Sequence, residues 1–330
     1  MRTAVSLSVV TGFPLHIYNI RAKRPSPGLK AQHLSILKIL EEASLGSCQG
    51  SQLGAKEIRF IPARQKPAFQ SLQVDVGTAG AIGLILQSLL LAAAFSSSGL
   101  SLEITGGTAG LGQVPILYYP QVVFPILSRS GLRASLFILR HGYYPKGGGK
   151  VKVEIGSIEK GQPIQLSQPG RVIKVEGLSL ASKALQEKRV AERQAEAARR
   201  ALEKLLSCPL DLKYDYVDTY SVGTEINLWA HTDTGAILWA DRRGELKKKA
   251  EEVGKEAGQA LWHEIEGGAA CDFWLADNLI PWLALLGGEI KTSQISLHTQ
   301  TNIWVCEQFL GKIFAVEGTT VRCRQGQKID

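Results

Sequence analysis

Hydrophobic and polar positions along the chain fall into short blocks whose period changes repeatedly. Arg2-Thr-Ala-Val-Ser-Leu-Ser-Val-Val-Thr-Gly12 predicts a helix running straight to a glycine stop, with no strand or cap before it. The chain thus reads as beginning in the middle of a structural unit. Pro14–Ile20 alternates as a strand, Arg21–Gly28 is a basic loop punctuated by proline, and Leu29–Ala43 has helical spacing through Leu34, Leu37, Ile39 and Leu40. Glu57–Ile61 and Gln73–Val76 predict strands, and Gly77-Thr-Ala-Gly80 leads into a long helix over 81–95. Leu100–Thr105 predicts a strand ending in Gly106-Gly-Thr108, Pro115–Gly131 a mostly helical stretch, and Leu132–Arg140 with Lys150–Ile155 a β pair. Gly147-Gly-Gly149 between these two strands reads as a hairpin turn rather than a phosphate cradle.

The order strand-helix-strand-helix-strand-strand recurs in element type and not in residue identity, which predicts an α+β fold built from stacked α/β-type units. The texture changes over 168–246. A strand at Arg171–Gly177 precedes a charged Ala/Arg/Glu helix over Glu187–Leu206, followed by strands at Asp211–Val217, Thr224–His231 and Ala236–Asp241. This segment reads as a smaller inserted α/β domain, leaving 1–167 and 247–330 as the main domain. From Glu245 a long helix returns the chain to the main pattern, followed by Phe273–Leu286, a strand at Glu289–Ser296, a helix at Asn302–Leu310 and strands at Lys312–Val316 and Thr320–Arg324.

Composition narrows the setting. A chain of 330 residues with 45% hydrophobic and 21% charged residues suits a globular protein with a substantial core. The net charge of +8 is unevenly spread: Arg2, Arg21, Lys23, Arg24, Lys30 and Lys38 all precede the first acidic residue, Glu41. That bias favours an anionic partner such as a phosphate or a nucleic acid. The five cysteines are scattered, without C-x-x-C pairs, which predicts a reducing, cytoplasmic setting. The apolar runs Ala79–Phe95 and Phe273–Leu286 carry interrupting polar residues and proline, and read as buried helices rather than membrane spans; no signal peptide is expected.

Taken together, Ile20-Arg-Ala-Lys-Arg-Pro25, Pro27-Gly-Leu-Lys-Ala-Gln-His33, Gly77-Thr-Ala-Gly80, Gly106-Gly-Thr108, His141-Gly-Tyr-Tyr-Pro-Lys-Gly-Gly-Gly149, Leu275-Ala-Asp277 and His298-Thr-Gln-Thr-Asn-Ile303 carry a resemblance. Any one is a weak signal; in this order and spacing they resemble the RNA 3′-terminal phosphate cyclases, over nearly the whole chain. The resemblance implies βαβαββ units similar to the C-terminal domain of a bacterial translation initiation factor, plus the inserted domain. It implies ATP-dependent conversion of an RNA 3′-terminal phosphate to a 2′,3′-cyclic phosphate, through an adenylylated histidine and an RNA adenylate.

The residues suit that chemistry. His298 is the expected nucleophile, because imidazole has an available neutral nitrogen near pH 7 and covalent transfer splits a hard displacement into easier ones. If Thr299 or Thr301 caps a helix from about Asn302, His298 stands beside a helix N-terminus, which attracts phosphate. The expected adenylate pocket is Gln87, Pro115 and Trp274-Leu275-Ala276-Asp277-Asn278, with Trp274 and Asp277 one helical turn apart and the indole able to stack on a base. Asp277 would orient either the ring of His298 or the ribose. Asn278 stands where the family usually has Gln. Arg2, Arg21, Arg24 and Gln32 are the expected contacts of the RNA terminal phosphate, planar guanidinium groups being suited to a dianion.

The family normally has a strand and a Gly-Glu-Gly-Gly-Gly-Gln-type loop just before the Arg-Thr-Ala of this sequence. The glutamate of that loop, associated with a divalent ion or the triphosphate, is absent, while Mg²⁺ or Mn²⁺ is still expected with ATP. The sequence is compatible with a displaced start, a truncation or a weakened metal site. Two other functions are compatible with parts of the pattern: a non-catalytic RNA-binding factor in ribosome assembly, and an enzyme resembling the enolpyruvyl transferases. The presence of His298 disfavours the first, and its pairing with Leu275–Asn278 the second.

Overall fold

The computed structural model describes residues 1–324 apart from Arg64, Thr78 and Leu111; Thr78, within the Gly77–Gly80 motif, thus lies outside the described residues. Helix α1 (Arg2–Thr11) stops where Gly12 adopts a left-handed φ of 71°, a conformation that costs a residue without Cβ little. Strand β1 (Leu15–Ile17), helix α2 (Ala31–Ala43) and strands β2 (Ser47–Gln49) and β3 (Ile58–Ile61) follow. The three strands form an antiparallel sheet in the order β1-β3-β2.

The second unit contains β4 (Leu72–Asp75), α3 (Ile82–Ala94), β5 (Leu100–Gly106), a π-helical turn at Tyr119–Val123 running into α4 (Phe124–Ser128), β6 (Ala134–Arg140) and β7 (Gly149–Ile155). Its sheet has the order β4-β5-β7-β6, with β4 and β5 parallel and the other pairings antiparallel. A third unit opens with β8 (Ile164–Leu166), and the chain then departs into β9 (Val172–Ser182), α5 (Val190–Leu202), β10 (Leu210–Val217), β11 (Thr224–Thr232), β12 (Ile237–Arg243) and α6 (Ala250–Glu266). It returns through α7 (Phe273–Leu286), β13 (Gly288–Lys291), α8 (Leu297–Leu310), β14 (Phe314–Glu317) and β15 (Thr320–Cys323).

The third sheet repeats the second: β8 and β13 are parallel, and β13-β15-β14 continue antiparallel. Both units are therefore βαβαββ with the same strand order. In the first sheet β1, β2 and β3 take the places of β5, β6 and β7, with no counterpart of β4 among the described residues. The fold class is mixed α and β, with eight α-helices among the described residues. None of them is long and apolar enough to cross a membrane.

Helices α3 and α7 are apolar on nearly every side and lie between layers, as their sequences require. In α3 only Leu84 and Gln87 escape full burial, and in α7 only Phe273, Trp274 and Asn278. The departures from expectation have local causes. β2 and β8 are three-residue strands, too short to show a period. The helix expected over Pro115–Gly131 divides at the π-helical turn, and the one expected over Glu187–Leu206 starts only after Arg189, whose φ is 50°.

The inserted segment has its own sheet, β10-β9-β11-β12, covered on one face by α5 and α6. Val175, Leu202, Leu228, Val253, Ala257 and Leu261 meet there in a separate apolar cluster. Helix α6 therefore packs on the insert, and the expected boundary at 246/247 cuts away a helix whose apolar face belongs to this second core. The α5–α6 crossing is close: a Cβ on Gly254 would lie 2.1 Å from the carbonyl oxygen of Gln194. The sheet's other face joins the main core through Trp239, which stacks on Trp229 (centroids 5.7 Å apart) and meets Tyr118 edge-on at 5.2 Å.

Beneath that contact, the hydroxyl of Tyr118 donates to Asp272 at 2.8 Å, and the same carboxyl caps α7 by accepting from Leu275 N at 2.9 Å. Burial, then the nearby Glu264, pushes the Asp272 carboxyl up to about 7. The fold thus holds the protonated form better than the unfolded chain does. The resulting stability is complete below the ordinary carboxylate range and is lost as pH rises through about 7. Asp272→Asn, which keeps an acceptor at the cap, is expected to flatten the fall in Tm between about pH 4 and pH 7, measured by thermal melts across that window.

Candidate active site

Five helices from the three units present their first turns to one cleft of about 460 Å³. Arg2 and Thr3 come from α1, Gln32 and His33 from α2, Leu84 and Gln87 from α3, Trp274, Asp277 and Asn278 from α7, and His298 and Thr301 from α8. Arg21, Arg24 and Lys30 reach it from the loop before α2. Convergence of helix N-termini directs unsatisfied N–H groups and positive dipole ends into one space. A larger depression of about 660 Å³ at the end of the second sheet is bordered by none of the expected site residues.

The cleft is electrostatically unbalanced, with Arg2, Arg21, Arg24 and Lys30 against one carboxylate, Asp277. Among the described residues none of these four cations lies within 4.0 Å of a carboxylate oxygen. Arg21 is shaped by its own loop, donating through Nη1 to the carbonyls of Ser26 at 2.6 Å and Gly28 at 3.2 Å. The Nε of Arg2 is buried without any hydrogen-bond partner. A buried guanidinium donor without an acceptor is costly, and burial lowers the pKa of Arg2 from its ordinary value. An anion bound in the cleft would remove that cost.

His33 is a member of the site that sequence reasoning did not single out. Its Nδ1 accepts from the backbone N–H of Lys30 at 2.9 Å, closing the start of α2. Burial, then the charges of Arg2 and Arg21, pushes its pKa down to about 4, so the ring is neutral at physiological pH. With Nδ1 accepting, the proton sits on Nε2, which makes the ring a neutral donor beside the cationic groups. The available signal was its position in the first turn of α2, one residue after Gln32.

His298 is the second residue of α8, inside the helix and not ahead of it. The expected cap at Thr299 or Thr301 is replaced by Ser296, whose Oγ accepts from His298 N at 3.0 Å and Thr299 N at 2.9 Å. The same Oγ donates to Asp277 Oδ1 at 2.6 Å, as does the hydroxyl of Thr299 at 2.6 Å. Asp277 therefore reaches His298 through the helix cap and makes no hydrogen bond with its ring. The ring of His298 is exposed and unbonded among the described residues, and Asp277 Oδ2 has no protein partner there.

A proline explains a second tie between α7 and α8. Pro281 lies inside α7 and has no N–H for the carbonyl of Asp277, four residues before it. Asn302 of α8 supplies the missing donor, with Nδ2 at 2.8 Å from Asp277 O, and its Oδ1 accepts from Thr3 Oγ1 of α1 at 2.9 Å. One amide thus joins α1, α7 and α8 at the floor of the cleft.

The remaining expected residues divide. Trp274, Gln87 and Gln32 border the cleft, and neither glutamine amide is hydrogen-bonded within the protein among the described residues. Asn278 borders it too, but its Nδ2 donates to Trp274 O at 2.8 Å, so the amide is partly committed to its own helix. Leu275 and Ala276 are fully buried in the core and their side chains do not face the cleft; Pro115 is buried and does not border it. Among the described residues no group of three or more His, Cys, Asp or Glu side chains is placed to hold a metal ion.

A model of the RNA 3′-terminal phosphate cyclase family matches residues 1–316. The chain is 42% identical over 318 residues to the RNA 3′-terminal phosphate cyclase of Thermococcus onnurineus, covering 96% of this chain and 92% of that protein. It is equally similar to that of Thermococcus kodakarensis, 42% over 318 residues with 96% and 91% covered. The Pyrococcus abyssi protein of the same name is 40% identical over 318 residues, with 96% and 91% covered.

Because Pro281 transfers the satisfaction of Asp277 O to Asn302, the two positions are expected to be coupled. Asn302→Ala should cost roughly 1–3 kcal/mol in urea denaturation, the penalty of an orphaned buried acceptor. In a Pro281→Ala background, where a backbone N–H returns, the same change should cost at least about 1 kcal/mol less.

Proposed function

The chain belongs to the RNA 3′-terminal phosphate cyclase family, and from that premise we propose that it uses ATP to close an RNA 3′-terminal phosphate to a 2′,3′-cyclic phosphate through a histidine-bound AMP. The observation that carries this reading is the meeting of His298 with Arg2, Arg21 and Arg24 in one cleft at the N-terminal turns of five helices. The three βαβαββ-type units are read in the same way as similar to the C-terminal domain of a bacterial translation initiation factor, supported by their shared strand order.

In the first step a ring nitrogen of His298 attacks the α-phosphorus of ATP, an N–P bond forms, and pyrophosphate leaves. The RNA 3′-phosphate then attacks that phosphorus, the N–P bond breaks, and the imidazole is restored. Finally the 2′-oxygen attacks the 3′-phosphorus as its hydroxyl loses a proton, and AMP departs. Each step moves negative charge among phosphates, and the arginines and helix N-termini are already oriented to stabilise it, with little reorganisation. Trp274 offers a stacking face for adenine, and Gln87 and Asp277 Oδ2 offer polar partners. Asp277 acts on His298 as a positioning residue, through the hydroxyls of Ser296 and Thr299.

The described residues do not form a protein cage for a divalent ion. Mg²⁺ or Mn²⁺ enters this reading with the triphosphate of ATP, whose charge it would screen.

Incubation with α-³²P-labelled ATP and Mg²⁺ should leave acid-labile, alkali-stable label on the protein. Adding a 3′-phosphorylated RNA should discharge it. His298→Ala should reduce labelling by at least about a thousandfold while leaving the melting temperature near wild type, since the side chain is exposed. Undiminished labelling of that variant would refute the assignment.

A further inference from the structure

A second groove, of about 470 Å³, continues from the cleft toward the insert. Gln32, Leu84, Gly112 and Gln113 border both, so the two depressions share a wall. The main-domain side of the groove includes several glycines and alanines, such as Gly80, Ala81 and Gly110, beside Gln32, Leu84, Gln113 and Tyr144. Its opposite side is the insert, at Val222–Thr224 and Arg243. Among the described residues no carboxylate lines it, and its one charged side chain is Arg243.

The rim is fixed by contacts across the domain boundary. The hydroxyl of buried Tyr143 donates to Glu225 Oε1 at 3.1 Å, and Ser221 Oγ accepts from Lys146 N at 3.0 Å. A Cβ on Gly223 would fall 2.4 Å from the ring of Tyr143, so the β6–β7 turn sits directly against the insert. Held in this way, Tyr144 points outward with 80% of its surface exposed. On the far side β12 ends at Arg243, and Lys247-Lys248-Lys249 follow after Gly244-Glu245-Leu246, with Lys248 paired to Glu256 at 2.6 Å. An exposed aromatic ring and a guanidinium flanking a groove free of carboxylates match the recognition of unpaired nucleic acid, by base stacking and by phosphate contact.

We propose that this groove carries the nucleotides upstream of the two terminal ones of the RNA, with a base stacked on Tyr144 and a backbone phosphate against Arg243. The proposal rests on the cyclase reading of the cleft, which puts the RNA end at Arg21, Arg24 and Gln32; Gln32 is common to both depressions. The occupant is single-stranded, because within a duplex no base face is free to meet a tyrosine ring.

The test compares cyclisation of a 3′-phosphorylated decaribonucleotide with that of a 3′-phosphorylated dinucleotide. Tyr144→Ala should raise KM for the decanucleotide about tenfold, and Tyr144→Phe should leave it near wild type. Arg243→Ala should raise the same KM and lessen its dependence on salt. Neither alanine variant should alter dinucleotide kinetics or labelling by α-³²P ATP. Wild-type decanucleotide KM in both alanine variants would overturn the groove while leaving the cyclase reading intact. So would equal cyclisation of the decanucleotide as a single strand and as a fully paired duplex. Failure of the wild-type protein to take label from ATP would overturn both.

Discussion

Positive charge ion-paired with no carboxylate among the described residues, gathered where helices begin, is the constraint around which this structure is arranged. Each unit contributes at least one helix that begins at the cleft. The first turns of α1, α3 and α7, and those of α2 and α8, consequently meet although they are far apart in sequence. A lone helix N-terminus attracts an anion weakly; five of them with three arginines and a lysine make a space that is unfavourable when it holds nothing negative. The orphaned Nε of Arg2 is the most direct expression of that condition. His33, kept neutral by the same surroundings, adds a donor without adding to the repulsion.

Precision at the cleft comes from groups that do not face a ligand. Pro281 looks like a defect in a buried helix until the freed carbonyl of Asp277 is followed to Asn302. Asp277, in turn, holds the hydroxyls that cap α8 and so sets the direction in which His298 leaves the helix. The three bonds, one to the main chain and two to the side chain of a single aspartate, lock α7 against α8. The proposed nucleophile can then stay exposed, because its position is fixed by the backbone it stands on.

Much of this was legible in the chain. The glycine stop after α1, the apolar helices α3 and α7, the β6–β7 pair and the changed texture of the insert all follow from periodicity and turn chemistry, which are local properties. Of the positions expected in these buried helices, Gln87, Trp274, Asp277 and Asn278 border the cleft. The adjacent Leu275 and Ala276 face the core, because a helix turns each residue by about 100° and a motif read as a string ignores that rotation. The allegiance of α6 was hidden for a related reason: an amphipathic stripe says that a helix is covered, not by what. Ser296 was overlooked as the cap because the pattern Ser-x-x-Thr lacks the usual acidic partner, and only the fold brings Asp277 there to replace it.

The place where the insert enters has a consequence for how the molecule assembles. Strand β8 pairs with β13 in parallel, yet the whole of β9 to α6 lies between them along the chain. Pairings so distant in sequence carry a loop-closure cost and form slowly. During synthesis the second unit can close as soon as β7 emerges, whereas β8 must wait unpartnered until β13 has been made. Because the insert has a core of its own, ordering it shortens the loop that remains to be closed between those two strands.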